Sequence, residues 1–208
     1  MSAPGCLIAF EGPEGAGKST QLQRLAEVLR GEGRRVELTA EPGGTVLGHE
    51  LRQILLHARA TSVPVPLAEL FLYLADRAQH VQQLIQPAIA AGAIVLTDRF
   101  SASTIAYQGY GRDLDLGEVT RADAWARGGL DARLTVLLDC PVHVGLQRAR
   151  GADRFHAEEE AFHERVRAGF HALAAAESGS WRTIDATQPA DAVHAAVLAA
   201  VHAVLEAT

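Results

Sequence analysis

Residues Cys6 to Leu29 read CLIAFEGPEGAGKSTQLQRLAEVL. Through Phe10 the segment is an unbroken apolar run of strand length, the mark of a strand covered on both faces of a sheet. From Thr20 onward the apolar residues Leu22, Leu25, Ala26 and Leu29 recur at three and four spacing, the stripe of an amphipathic helix. Between strand and helix, Gly12 to Ser19 (GPEGAGKS) satisfies G-x-x-x-x-G-K-[ST]. Glycines let successive backbone N–H groups converge on an anion, and the helix N-terminus adds a favourable dipole. The segment therefore reads as a loop that holds nucleotide phosphates, formed by Gly12, Pro13, Glu14, Gly15, Ala16, Gly17, Lys18, Ser19 and Thr20; by itself it does not distinguish an ATPase, a GTPase switch or a kinase. Lys18 is expected to reach the β- and γ-phosphates and the Ser19 hydroxyl to ligate Mg²⁺.

Composition supports a special role for that lysine. The 19 basic residues of the 208-residue chain are 18 Arg and one Lys, Lys18, and there is no Asn. Where arginine serves almost everywhere, a lone lysine marks a site that needs a compact ammonium and rejects a planar guanidinium. The same counts remove a GTPase switch, whose guanine-reading N-K-x-D motif cannot be written without Asn or a second Lys. A net charge of −6 argues against a surface that neutralises polymeric nucleic acid, although a few cations aimed into one cleft still suffice for a small phosphorylated substrate. The first residues lack the basic region of a signal peptide, and the apolar stretch Ala192 to Leu205 is too short for a membrane span, so an unexported, cytoplasmic protein is expected. Cys6 and Cys140 have no partner at metal-ligand spacing and are expected to be free thiols.

Outward from the loop, strand-length apolar runs recur at Val36 to Thr39, Ala93 to Thr97, Leu134 to Asp139 and Trp181 to Asp185, with helical patterns between them. Among these, Pro66 to Ala91 is a long helical stretch interrupted late by Pro87. Strand alternating with helix predicts a parallel sheet covered on both faces, in one domain spanning 1–208. The class expected is α/β: a three-layer P-loop fold with a five-stranded parallel sheet. Arg148 to His156 (RARGADRFH) breaks the pattern, with three arginines and little apolar content; it reads either as a solvated loop or as a cationic lid over the phosphate donor.

The strand ending at Thr97 delivers Asp98 and Arg99 to the carboxyl edge of the sheet, where open α/β folds bind ligands. Asp98 could hold Mg²⁺ or its waters and Arg99 could grip a phosphate. Together with Glu11, Glu41-Pro42-Gly43-Gly44-Thr45, Asp98-Arg99-Phe100, Ser103-Thr104 and Tyr107-Gln108-Gly109, the chain resembles the bacterial thymidylate kinases. The resemblance extends through Phe71-Leu72-Tyr73 and Arg77, Leu138-Asp139-Cys140-Pro141 and Val144-Gly145-Leu146, into Asp185-Ala186-Thr187-Gln188-Pro189, and so covers nearly the whole chain in order.

What this resemblance implies is phosphoryl transfer from ATP to dTMP. Phe71 would stack on thymine, and Arg77 and Gln108 would bind the base or nucleotide. Tyr107 would crowd the sugar 2′ position. Arg52 and Arg99 would lie near the acceptor phosphate, and Glu11 and Asp98 near the metal and reacting oxygens. Glu41, Ser103 and Thr104 belong to the same acceptor set. The loop between Gly12 and Gly17 carries no arginine, so the resemblance points to the subclass whose lid supplies the transition-state cation, from Arg148, Arg150 or Arg154. It also implies a homodimer formed by helix packing. One departure is Ala40, where such sequences commonly read Arg before Glu-Pro-Gly-Gly. Two rival readings are a deoxynucleoside kinase, against which the phosphate-acceptor arginines weigh, and a slow ATP-hydrolysing regulatory module, which needs no base-reading residues.

Overall fold

The structure, a computed structural model, describes residues 5–57, 63–149, 155 and 158–207. Five strands, β1 (Cys6–Glu11), β2 (Val36–Ala40), β3 (Ile94–Asp98), β4 (Leu134–Asp139) and β5 (Trp181–Asp185), form one wholly parallel sheet in the order β2-β3-β1-β4-β5. β1 is its central strand, and every one of its residues is buried. Alternation along it feeds two layers. Cys6, Ile8 and Phe10 pack with Leu22, Leu25 and Leu29 of α1 (Lys18–Gly31) and with Val193, Val197 and Val201 of α9 (Ala190–Glu206). Leu7 and Ala9 face the opposite layer, meeting Val81 and Ile85.

That second layer begins with α2 (Val46–His57) and α3 (Pro66–His80). α3 continues through a π-helical segment, Val81–Ile85, into α4 (Gln86–Ala90). Pro87 explains the irregular stretch: it lacks an N–H and its ring clashes with the carbonyl four residues back, which a widened turn relieves without ending the helix. α5 (Ser101–Thr104) runs likewise into a second π-helical segment, Ile105–Gly111, followed by α6 (Leu116–Ala126), α7 (Val142–Arg148) and α8 (Glu160–Ala176). Phe162, Val166 and Phe170 of α8 enclose Leu137, Tyr107 and Trp181.

The register aligns the carboxyl ends of the inner strands: Ala40 pairs with Asp98, Phe10 with Asp98 and Glu11 with Leu137. The connection from β1 leads to β2 on one side and that from its neighbour β4 leads to β5 on the other, so the loop after β1 lies at the crevice where such sheets bind ligands. Cys6 and Cys140 are buried and free. Among the described residues no helix is long and apolar enough to cross a membrane.

Candidate active site

The loop after β1 is shaped by backbone contact. Gly12 and Gly15 hold φ of +132° and +68°, and a Cβ on either would collide with a carbonyl oxygen, that of Leu138 or of Gly145. α1 then starts at Lys18 with Gly17 as its N-cap and no capping side chain, which directs its first-turn N–H groups to the cleft that Gly17, Ser19 and Thr20 line. Lys18 Nζ donates to the carbonyls of Gly12 (3.1 Å) and Pro13 (2.9 Å). Burial, with Arg99 adding to it, pushes its pKa down to about 8 against the opposing pull of Asp98, Glu11 and Glu14. Ser19 Oγ donates to Asp98 Oδ2 at 2.7 Å, joining the two residues expected to hold a metal.

Arg99 occupies the left-handed region at φ 73°, a conformation that persists only when its surroundings over-determine it. Its N–H donates to Phe10 O, its carbonyl accepts from Thr97 Oγ1, and the next N–H, of Phe100, donates to Glu11 Oε1. The guanidinium reaches Gly12 O, Ser103 Oγ at 2.9 Å and Tyr107 OH at 3.0 Å, and lies 4.9 Å from the Tyr107 ring centre. Burial lifts the Tyr107 hydroxyl to about 12, so it stays protonated beside that cation.

Glu11, expected near the metal and the reacting oxygens, is fully buried, with Oε1 accepting from Phe100 N and Ser103 N and Oε2 from Ser103 Oγ at 2.5 Å. Burial raises its pKa, opposed by those hydrogen bonds and by Arg99. Its work is to hold the Asp98–Arg99–Phe100 turn. Ser103 and Thr104 line the cleft, yet their hydroxyls serve Arg99 and Arg77.

The acceptor wall rests on a buried ionic cluster. Arg77, 1% exposed, donates Nε to Glu41 Oε2 (2.9 Å) and Nη1 to both Thr104 Oγ1 (2.7 Å) and Asp123 Oδ1 (2.5 Å). Glu41 Oε1 meets His80 Nδ1 at 2.8 Å, and His80 Nε2 lies 2.6 Å from Thr39 Oγ1. Arg52 Nη1 donates to Pro42 O at 2.8 Å, and Ala40 lines the cleft beside Glu41. Gln108 also lines it, with Nε2 donating to Glu69. At the far end Arg148, which closes α7, lines the cleft and donates Nη1 to Ala186 O at 2.7 Å. Arg150 and Arg154, and with them most of the expected lid at 148–156, lie outside the described residues.

Phe71, expected to stack on the base, is 58% exposed and lies outside the cleft, whereas Tyr73 lines it. A signal for this was present. Tyr73 stands four residues before Arg77 and so shares its helix face, while Phe71, six residues before, points elsewhere. The buried partners Asp123 and His80 carry no comparable signal, because their roles depend on elements distant in sequence.

Asp76 supports the loop after β2: Oδ1 accepts from Gly43 N at 3.1 Å, and Oδ2 is buried without a partner. Burial, then the nearby Glu41, raises its pKa from 3.8 to about 6. A carboxyl whose folded pKa is raised contributes stability that is fully present below its unfolded pKa and is lost as pH rises through the folded value. Stability is therefore expected to fall by about 2–3 kcal/mol between pH 4 and 6 on this account. Asp76→Asn, which keeps the acceptor for Gly43, should flatten that part of the curve in urea titrations at successive pH values.

A family model described as thymidylate kinase matches residues 10–197. The chain belongs to the thymidylate kinase family. Among thymidylate kinases with similar sequences, one from Synechococcus sp. (strain JA-2-3B'a(2-13)) is 55% identical over 170 residues, covering 82% of this chain and 81% of the relative. Another, from Solidesulfovibrio magneticus, is 50% identical over 200 residues, 91% of this chain and 95% of the relative. A crystal structure of thymidylate kinase from Ehrlichia chaffeensis superposes with a TM-score of 0.77 at 32% identity, covering 96% of this chain and 99% of that one. The thymidylate kinase fold thus accounts for the three-layer P-loop architecture expected from the strand pattern.

Proposed function

We propose that this chain transfers the γ-phosphoryl group of ATP to a phosphate oxygen of dTMP, giving ADP and dTDP for dTTP synthesis. The observation that carries this reading is a continuous cleft of about 1090 Å³ in which the phosphate loop, Arg99 and a wall of Tyr73, Arg77, Tyr107 and Gln108 face one another. Phosphoryl transfer needs positioning and charge neutralisation and no covalent intermediate. Lys18 exchanges its two carbonyl partners for β- and γ-phosphate oxygens. Arg99, anchored by Ser103 and Tyr107, and Arg52 hold the acceptor phosphate, and Arg148, Arg150 and Arg154 are the source of further cationic charge at the transferring group. Ser19 and Asp98 offer hard oxygen donors side by side at the cleft, a set that fits Mg²⁺. When held by Ser19 and Asp98, the ion would supply positive charge that neutralises the phosphates during transfer. ATP and dTMP are cytoplasmic metabolites, and that is where this reading puts the activity.

The test is ADP release from MgATP with dTMP, dUMP, dCMP, dGMP or thymidine offered separately. Strong preference for dTMP is expected. Faster turnover of thymidine or another nucleotide would overturn the acceptor assignment, and ADP formed equally fast without acceptor would overturn the kinase.

Tyr73 supplies the aromatic face for the base. Stacking of a base on an aromatic side chain is worth about 1–3 kcal/mol, so Tyr73→Ala is expected to raise KM for dTMP roughly 10- to 100-fold. Phe71 has a different use. With Val46, Leu47 and Ile54 of α2 and Trp125 of α6 it exposes apolar surface on helices that pack side by side, α2 on α3 and α3 on α6. Such a face supports a homodimer. Phe71→Ser combined with Trp125→Ser should shift sedimentation toward the monomer and leave KM for dTMP within about twofold, since neither residue lines the cleft.

A further inference from the structure

Glu69 on α3 is fully buried, where an anion persists only with partners. Its Oε1 accepts from Gln108 Nε2 at 2.8 Å, and Arg112 donates Nε to Oε1 and Nη2 to Oε2, both at 3.3 Å. Arg112 is itself held from the other side. Its Nη2 lies 2.7 Å from Glu158 Oε1, and its guanidinium packs 4.7 Å from the ring centre of Phe162 and 5.6 Å from that of Phe155.

A primary amide has two unlike ends. Turned one way, a glutamine in a base site accepts from the N3–H of thymine or uracil; turned the other way, it donates to the N3 lone pair of cytosine. A carboxylate paired with arginine offers acceptors only, so only the amino end of Gln108 can face Glu69. The carbonyl end then remains for the cleft that Gln108 lines. Among the described residues nothing donates to Gln108 Oε1, and Oε1 is not one of the buried polar atoms left without a partner, which are Asp76 Oδ2 and His163 Nε2. The geometry points to Glu69, fixed by Arg112, as a positioning residue that locks the Gln108 amide and thereby makes the acceptor site select bases protonated at N3. The inference rests on the reading of Gln108 as a base-edge residue.

The test compares kcat/KM for dTMP and dCMP in the wild type, Glu69→Gln, Gln108→Met and the double variant. A glutamine at position 69 presents both a donor and an acceptor, which frees the Gln108 amide to turn. The dTMP-to-dCMP ratio is expected to fall about tenfold or more in Glu69→Gln, the worth of one misdirected hydrogen bond. Gln108→Met should lower it comparably, and Glu69→Gln should add nothing in the Gln108→Met background. An unchanged ratio in Glu69→Gln beside a lowered one in Gln108→Met would overturn the lock and leave the base reading standing. An unchanged ratio in Gln108→Met would overturn the base reading itself. An equal loss in both backgrounds would show Glu69 acting on the fold and not through the amide. If Glu69→Gln yields no folded protein, Glu69→Asp, which keeps the charge near Arg112 but withdraws it from Gln108, carries the same expectations.

Discussion

Lys18→Arg is expected to lower kcat/KM for ATP by about 10³-fold, as much as Lys18→Ala, although arginine fills every other basic position of the chain. The ammonium sits inside a narrow loop, donating to Gly12 O and Pro13 O. That loop cannot widen, since Gly12 and Gly15 already lie against the backbone of β4 and α7. A guanidinium is planar, broader and longer by one atom, and cannot converge on the same point between two phosphates. ADP-release kinetics on variants shown to be folded by thermal melting would check this; an arginine variant within tenfold of the wild type would contradict it. The lowered pKa of Lys18, about 8, sets the sign of a second effect. Affinity of the free enzyme for ATP should weaken as pH rises through that value and the ammonium loses its proton.

The second large effect concerns stability. Arg77→Leu is expected to destabilise the protein by about 3–5 kcal/mol, because it leaves Glu41 and Asp123 as buried carboxylates without their cation. For a chain of this size the melting temperature should drop by roughly 6–20 °C. His80 beside Glu41 and Arg127 beside Asp123 remain and soften the loss. Calorimetry would decide: a deficit as large in Arg77→Lys, which keeps a cation, as in Arg77→Leu would mean that packing over Phe100, 5.2 Å from the guanidinium, matters more than charge.

Strand and loop were legible because their signals are local. Leu134–Asp139 and Trp181–Asp185 begin and end where the apolar runs do, and the phosphate loop is written in eight consecutive residues. Arg99 could be assigned to the cleft because it follows a strand directly, and strand ends have little freedom in a parallel sheet. Glu11 ends a strand, yet its direction depends on N–H groups of Phe100 and Ser103, about ninety residues away. Phe71 and Tyr73 both sit on a strongly apolar helix, and family resemblance could not choose between two aromatics two residues apart. The spacing to Arg77 could. The π-helical segment carrying Tyr107 and Gln108 has no signature of its own, since, unlike the segment before Pro87, it has no proline to mark it.

The close approach of Gly15 to Gly145 bears on how the site is assembled. Each glycine lies where the other segment's backbone would meet a Cβ: Gly15 against the carbonyl of Gly145, and Gly145 against that of Glu14. A sequence motif eight residues long therefore takes its shape from a chain segment some 130 positions later. During synthesis the motif emerges early but cannot form an anion pocket until β4 and α7 have docked. Nucleotide binding then reports that the sheet is complete, and ATP, bound only to the finished molecule, draws the last steps of folding forward.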